Sequence, residues 1–477
     1  MIQRTIKQLT DMLIVPCPFS ELEASVAISG VSIDTRTLRP GNLYVPIVGD
    51  RFNGHAFVRQ AIDNGASAVL WNRNEPHAPQ DVPVIRVDDT LSALQLLAST
   101  YRSQLPCTVV AITGSNGKTS TKDMLAWMLG ERFKTHKTPG NLNNHLGVPL
   151  TLLQLAEDTE VAVVEMGMSG FGEIALLSSL VMPDYAIVTN IGDAHLGDLG
   201  SKDNILRAKL EIMHGLKNNG TLIYNGDDPY LSAALAGKEW PFRTRTFGME
   251  PSNDCQGLSM VREKRGSSFF VASDPSIRLF VPLHGQHQVL NALAAVETAL
   301  LLGMELHQIR NGLANVRISG MRNEVIRTDG MTIINDTYKS NPASAVAALD
   351  TLYGLQDYRQ KIAVLGDMLD LGQEETSLHA HVGSFADPAQ LDYLFAYGPR
   401  SASTADCARK LMPPGRVFHY SDKQEMIRDL LRHIDPNSVV LVKASRELML
   451  EEVVAALLQS KSLDSAKKGW DFHEANV

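Results

Sequence analysis

The chain has 477 residues, with 44 lysines and arginines against 53 aspartates and glutamates, giving a net charge of −9. That length exceeds what one growing core accommodates and predicts about three domains. The acidic balance excludes a general affinity for nucleic acid, although it leaves room for a local basic pocket; 44% hydrophobic and 20% charged residues mark a globular protein, not a disordered one.

Four cysteines, Cys17, Cys107, Cys255 and Cys407, are scattered without C-x-x-C or metal-ligand spacing, which predicts reduced thiols and a cytoplasmic protein. No apolar run is long enough to cross a bilayer. The start, MIQRTIKQLTDMLIV, is amphipathic and lacks a small-residue cleavage signal, so no export signal is read there.

Residues 1–106 read as a small α/β unit. GNLYVPIVG has strand character, HAFVRQAIDNGA is a short helix, SAVLW another strand, and TLSALQLLASTYRSQL an amphipathic helix. A second unit, 107–318, opens on the buried strand CTVVAI. Its apolar strands VAVVEMG, YAIVTNIG and TLIYNGDD alternate with helical segments, which predicts a mostly parallel sheet flanked by helices. LFVPLHGQHQVLNALAAVETALLLG closes it with a short strand and a long helix ending at Gly303. A third unit, 319–460, shows MTIINDTY, the helix NPASAVAALDTLYGL, then KIAVLGDML, LDYLFAYG and SVVLVKAS, the pattern of a second doubly wound sheet. The tail 461–477 has no periodic apolar face and is expected to be mobile.

TGSNGKTSTK, Thr113–Lys122, follows the strand CTVVAI and precedes a helix over 119–130. The loop Gly114, Ser115, Asn116, Gly117 is shorter than the usual G-x-x-x-x-G-K-[ST] cradle. Its context still predicts a phosphate site, because unpaired N–H groups at a helix start bind phosphate oxygens. Lys118 can lie along the β- and γ-phosphates, and Thr119 can place its hydroxyl on Mg²⁺. Glu165 ends a buried strand, at the edge where such sheets bind ligands, and can hold a cation. Asn190, Asp193 and His195 follow another strand; the histidine can bind a second Mg²⁺, orient an oxyanion, or simply be a hydrogen-bonded loop residue. Ile205, Lys209 and Ile212 share a helix face, where snorkelling competes with a role at the phosphates. Asn141, Asn143, Asn144 and His145 either make turns and a helix cap or line a sugar or phosphate pocket. His287 and Asn291 lie one helical turn apart, within reach of one ligand.

Taken together, TGSNGKTSTK, NLNNHLGVPLTLL, VVEMGMSGFGEI, TNIGDAHLGDLGS, RAKLEI, HGQHQVLNALAA, GMRNEV, INDTYKSNPAS, VLGDMLDLG and VKASRE resemble, in order and over nearly the whole chain, the Mur ligases of bacterial cell-wall synthesis. The resemblance implies an α/β protein with an N-terminal UDP-sugar domain, a central P-loop ATPase domain and a C-terminal Rossmann-like domain. It implies ATP and Mg²⁺ as cofactors, and it is strongest to members that join D-alanyl-D-alanine to UDP-N-acetylmuramoyl-tripeptide. By that resemblance Ser115, Asn116, Lys118, Thr119 and Ser120 serve the nucleotide; Thr119, Glu165 and His195 take metal positions; and Lys209 becomes a CO₂-derived carbamate that meets magnesium. Asn291 sits near the adenine, and Arg322 reaches the phosphates from the third domain. Asp336, Tyr338, Asn341 and Pro342 belong to a loop touching nucleotide and dipeptide. GVSIDTRTLRPGNLYVPIVGDRFNGHAFV resembles the UDP-gripping region, which implies substrate contacts from Ser32, Thr35, Arg36, Asn53, Gly54 and His55; Asn143 and Asn144 are expected to join them.

Two departures stand out: Lys339 where many relatives carry Asn, and GMR where several carry GR. An Asp-Asn-Pro-Arg stretch typical of the diaminopimelate-adding relatives is missing, and the similarity to folylpolyglutamate synthetase is weaker in the later stretches. A kinase or GTPase is disfavoured by the shortened loop and the lack of an N-K-x-D stretch. A nucleotide-binding scaffold is disfavoured by the intact Lys118, Thr119, Glu165, His195 and Lys209. A monomer without nucleic-acid partners is expected.

Overall fold

The computed structural model describes residues 1–328 and 330–460, so the expectation for 461–477 lies outside the described residues. Three main sheets follow one another along the chain. The first is four-stranded and parallel: Val31–Ser32, Leu43–Tyr44, Ala68–Asn72 and Val84–Val87. A two-stranded antiparallel ribbon, Gln3–Thr5 with Ala27–Ser29, precedes it.

The second sheet has nine strands. Thr108–Thr113 lies between Val161–Glu165 and Tyr185–Val188, parallel to both. Thr135–Lys137 forms one edge, and Thr221–Asn225 and Arg243–Gly248 extend the other side. Cys255–Glu263, Gly266–Val271 and Asp274–Val281 then run antiparallel to one another. The short strand expected around LFVP is thus the last eight residues of a hairpin ribbon. Strand order reverses on either side of Thr108–Thr113, and ligands of open α/β sheets bind at such a switch point. The loops after these three central strands therefore converge on one place.

The third sheet places Met331–Asp336 beside Ser438–Lys443, followed by Gln360–Gly366, Tyr393–Tyr397 and Val417–Tyr420, all parallel; Glu324–Thr328 adds an antiparallel edge.

The cores divide the molecule differently from the sheets. The start of the chain and the helix Thr90–Gln104 are packed into the central unit: Ile6, Leu94, Leu97 and Tyr101 share one apolar cluster with Leu152, Leu155 and Leu177. Ile2 N–H donates to the Leu153 carbonyl (2.8 Å), and Tyr101 OH donates to that of Leu155 (2.9 Å). The third unit keeps two clusters of its own, one on each face of its sheet. Burial of this kind contributes about 25 cal/mol per Å² of apolar surface, so the first two units are joined by a common core while the third stands on its own.

Candidate nucleotide site between the central and C-terminal units

The helix Lys118–Leu129 begins without a side-chain cap; its N-cap is Gly117, at φ 83°. Several other helices do carry a side-chain cap, from Asp89, Ser201, Asp228, Asn341 and Asp422. The uncapped first turn leaves N–H groups open to an anion. Glycine is obligatory in this loop. A Cβ on Gly114 (φ 142°) would fall 1.9 Å from Thr189 Oγ1, and one on Gly117 would fall 2.1 Å from Asn291 Oδ1. The loop is braced by the neighbouring strand end: Ser115 N–H donates to the Asn190 carbonyl (3.0 Å), Asn116 N–H to Asn190 Oδ1 (3.0 Å), and Gly192 N–H to Ser115 Oγ (2.8 Å).

Glu165 is 1% exposed, and both its oxygens are engaged. Thr119 Oγ1 donates to one (2.8 Å), Asn143 Nδ2 donates to the other (2.8 Å), and the buried Lys122 ammonium lies 3.7 Å away. Asn144 Oδ1 accepts from Gly147 N–H (2.9 Å) just before the helix Gly147–Leu153, and the residue also lines the cavity. Asn141 and His145 are exposed and outside the cavity lining.

These groups face a cavity of about 550 Å³ closed on its far side by the third unit. Lys118 Nζ donates to the Gly114 carbonyl (2.7 Å); burial, opposed by Glu165 and reinforced by Lys339 and Arg322, pushes its pKa down to about 8. Arg322 stacks its guanidinium 4.0 Å over the Tyr338 ring, a cation–π contact that aims it into the cavity. Asp336 accepts from the buried Lys443 (2.6 Å), which also donates to the Lys339 carbonyl (2.9 Å). Asn341 and Asn116 exchange amide hydrogen bonds across the two units (2.8 and 3.4 Å), and Pro342 starts the helix that Asn341 caps. Asn291 and His287 line the cavity too; Asn291 stands against Gly117, and His287 meets Asn323 (3.2 Å).

His195 departs from the expectation of a metal ligand. Its Nε2 accepts from Lys339 Nζ at 3.0 Å, and its Nδ1 faces Asp198 at 3.3 Å. Burial and then the charges of Lys339, Lys209 and Lys118 push its pKa down to about 3, so the ring is neutral. Lys209 is 1% exposed, and burial followed by Lys118 and Lys339 holds its amine well below the ordinary lysine range. Among the described residues no carboxylate pairs with it. Asp193 forms an ion pair with Lys202 (3.1 Å).

A metal test follows from the donor atoms. Thr119 and Glu165 offer two hard oxygens beside the phosphate loop, which suits magnesium completed by phosphate oxygens and water. Around His195 the fit fails, because the Nε2 lone pair is spent on the Lys339 ammonium and the nearby carboxylate, Asp198, faces the opposite ring nitrogen. Among the described residues no cluster of three or more His, Cys, Asp or Glu side chains could hold a metal ion.

The N-terminal residues form a separate group. Ser32 Oγ donates to the Asp34 carbonyl (2.9 Å), Arg36 pairs with Asp34 (2.6 Å), and Thr35 Oγ1 donates to Gln60 (2.9 Å). Asn53 Oδ1 accepts from His55 N–H (3.0 Å), and the His55 ring meets Trp71 edge-on. A Cβ at Gly54 would lie 2.6 Å from the Ile47 nitrogen, so this glycine serves a close backbone approach. None of the six lines the central cavity. Lys122 and Lys443 belong to the site, although nothing in the sequence but their places in TGSNGKTSTK and VKASRE points to them.

An uncapped, glycine-built phosphate loop, an oxygen pair for magnesium and cations from a second unit define a nucleotide-binding α/β protein whose site is lined by two units. Family models match along the chain: the Mur ligase family catalytic domain over residues 27–102, the Mur ligase middle domain over 112–299, and the Mur ligase glutamate ligase domain over 321–446. The chain is 43% identical to the UDP-N-acetylmuramoyl-tripeptide–D-alanyl-D-alanine ligase of Bacillus subtilis (strain 168), covering 96% of this chain and 99% of that one. A MurF crystal structure from Acinetobacter baumannii superposes with a TM-score of 0.84 at 31% identity, covering 96% and 99%. The MurF ligase of Thermotoga maritima in complex with ADP gives 0.79 at 28%, covering 90% and 96%. The chain belongs to the Mur ligase family.

Proposed function

We propose that the chain is an ATP-dependent ligase that joins D-alanyl-D-alanine to the terminal carboxylate of a UDP-N-acetylmuramoyl-tripeptide, releasing ADP and phosphate during peptidoglycan precursor synthesis. The observation that carries this reading is the 43% identity to the Bacillus subtilis ligase of that name over 99% of its length. The cavity supports it chemically. A carboxylate and an amine do not condense until one is activated. A carboxylate oxygen of the tripeptide attacks the γ-phosphorus of ATP and ADP leaves. The dipeptide amine then attacks the acyl phosphate carbon, and the tetrahedral intermediate expels phosphate. No protein nucleophile takes part.

The chain's own residues solve the electrostatic problem of bringing a carboxylate to a polyphosphate. Lys118, the uncapped N–H groups after Gly117 and Arg322 supply fixed positive charge where negative charge develops. Thr119 and Glu165 would hold magnesium, which would supply further positive charge where negative charge develops. The third unit covers the cavity and excludes water from the acyl phosphate. Asn291 and Tyr338 border the nucleotide, and Ser32, Thr35, Arg36, Asn53 and His55 belong to the UDP end.

Lys209 is the residue for carbamylation: burial and then the Lys118 and Lys339 charges disfavour its ammonium form, which favours attack of the free amine on CO₂, and the product places an anion among Lys118 and Lys339. A ¹³C-carbonyl resonance on [¹³C]bicarbonate addition, lost in Lys209→Ala, is the expected sign; no resonance together with no rescue of that variant by short carboxylates overturns it. The protein works as a cytoplasmic monomer.

The decisive experiment measures ATP-dependent phosphate release with lysine- and diaminopimelate-containing UDP-tripeptides, with and without D-alanyl-D-alanine. Release that requires both substrates, with ¹⁸O passing from the tripeptide carboxylate into phosphate, is expected. Release independent of the amine points to a simple ATPase instead.

A further inference from the structure

We propose that Lys339 provides a tethered cation at His195, in the place where a second divalent metal ion would sit, so that the closed site takes up one metal ion rather than two. The inference rests on the nucleotide reading of the cavity given above.

The geometry is specific. Lys339 Nζ lies 3.0 Å from His195 Nε2, and Asp198 Oδ2 lies 3.3 Å from Nδ1. An ammonium has only donors, so Nε2 must be the acceptor and the ring proton resides on Nδ1, toward the carboxylate. That is the tautomer a metal ion at Nε2 would select, with the opposite nitrogen donating to a carboxylate behind it. Lys339 therefore uses the histidine as a metal would, with one positive charge instead of two. A divalent ion cannot share the same lone pair, and it would also meet the charge of Lys118, which acts on this ring. The Thr119–Glu165 position is untouched by this argument, because its donors are oxygens and its nearby cation, Lys122, is fixed by the Thr138 carbonyl (3.1 Å).

The backbone carrying Lys339 is held firmly. Lys443 bridges Asp336 and the Lys339 carbonyl, and two residues on Asn341 locks to Asn116 of the phosphate loop. Lys339 is on the third unit and His195 on the second, so this charge arrives with domain closure and needs no ion from solution. The side chain is exposed toward the cavity, so replacing it leaves no packing defect.

The test counts Mn²⁺ bound per full-length chain, by electron paramagnetic resonance, in the presence of a non-hydrolysable ATP analogue. The native chain is expected to bind one. Lys339→Met and Lys339→Asn, which free Nε2, are expected to bind two, and the double variant Lys339→Met with His195→Ala is expected to return to one. Two ions on the native chain, or one on both single variants, overturns the proposal while leaving the nucleotide reading intact. Failure of the native chain to bind any Mn²⁺–nucleotide overturns both.

Discussion

Lys118 is a cation kept where a cation is unfavourable until phosphate arrives. Its folded pKa of about 8 lies below the ordinary 10.5. The unfolded chain therefore binds more protons than the folded one between those values, and stability attributable to this group rises with pH across that window. At neutral pH the charged lysine costs stability, so Lys118→Ala is expected to fold at least as stably as the native chain. That advantage should shrink as pH rises from about 8 to 10.5. Turnover, by contrast, should fall ~100-fold or more, the usual effect of removing one preorganised donor. Urea titrations across pH and steady-state phosphate release check the two halves separately. Lys122 predicts the reverse pattern. It is fully buried against Glu165 (3.7 Å) and Asp123 (3.6 Å), and Asp123 in turn holds Lys137 (2.6 Å) and Ser319 N–H (2.8 Å). Lys122→Met leaves buried carboxylates short of a counter-charge and should lower unfolding free energy by about 3 kcal/mol, read from denaturant midpoints. Lys118 and Thr119 were legible in the sequence because strand, loop and helix are contiguous there, and Glu165 because it ends a buried apolar strand. Lys122 and Lys443 were not, because a lysine is by default a surface residue and only tertiary packing shows one to be buried. The meeting of His195 with Lys339 spans 144 residues and depends on how two units face each other.

At the scale of elements, the phosphate loop is fixed by what its glycines allow. Gly117→Ala must place a side chain at φ 83° and within 2.1 Å of Asn291 Oδ1. Left-handed backbone at a non-glycine residue costs about 1–3 kcal/mol, and the overlap adds to it. Adding Asn291→Ala removes the overlap and leaves the backbone cost, so the double variant should recover part, not all, of the lost stability and ADP affinity. Calorimetry on the four members of the cycle measures that fraction; full recovery would mean that the backbone term is negligible. The parallel strands of the central sheet were readable as continuous apolar runs bounded by turns, as expected for strands buried on both faces. The antiparallel ribbon over 255–281 was not, since its apolar residues come in short runs, 269–272 and 279–281, broken by polar stretches with Arg262, Lys264 and Arg278. The helix Leu306–Ala314 also escaped notice; it follows Gly303 closely and buries only Ile309, Gly312 and Leu313.

At the scale of the molecule, a common apolar core welds the first two units, whereas polar contacts attach the third across the cavity: Asn116 with Asn341, His195 with Lys339, Arg262 with Asp350 (2.7 Å). Polar contacts of that sort exchange readily with water, so displacing the third unit is expected to cost less than separating the first two. The sequence division at residue 106 marked a change of sheet, but not this mechanical division, because helix Thr90–Gln104 carries its apolar face into the next unit's core. One contact tests the closure directly. Gly197, in the short helix Leu196–Leu199 after His195, donates its N–H to the Asp370 carbonyl (3.0 Å), and a Cβ there would lie 2.7 Å from the Gly372 nitrogen. Both obstacles are backbone of the third unit, so a larger residue cannot be accommodated by a rotamer change. Gly197→Val should leave each unit folded, with an unchanged unfolding midpoint, while holding the third unit away from the phosphate loop. ADP should still bind to the loop, because Gly114–Ser120 belongs to the second unit alone. Phosphate release should collapse, because Arg322 and Lys339 no longer reach the cavity. Small-angle scattering should show a larger radius of gyration for the variant with nucleotide and substrates bound. An unchanged radius with unchanged turnover would mean that the two units can meet productively without passing through this contact.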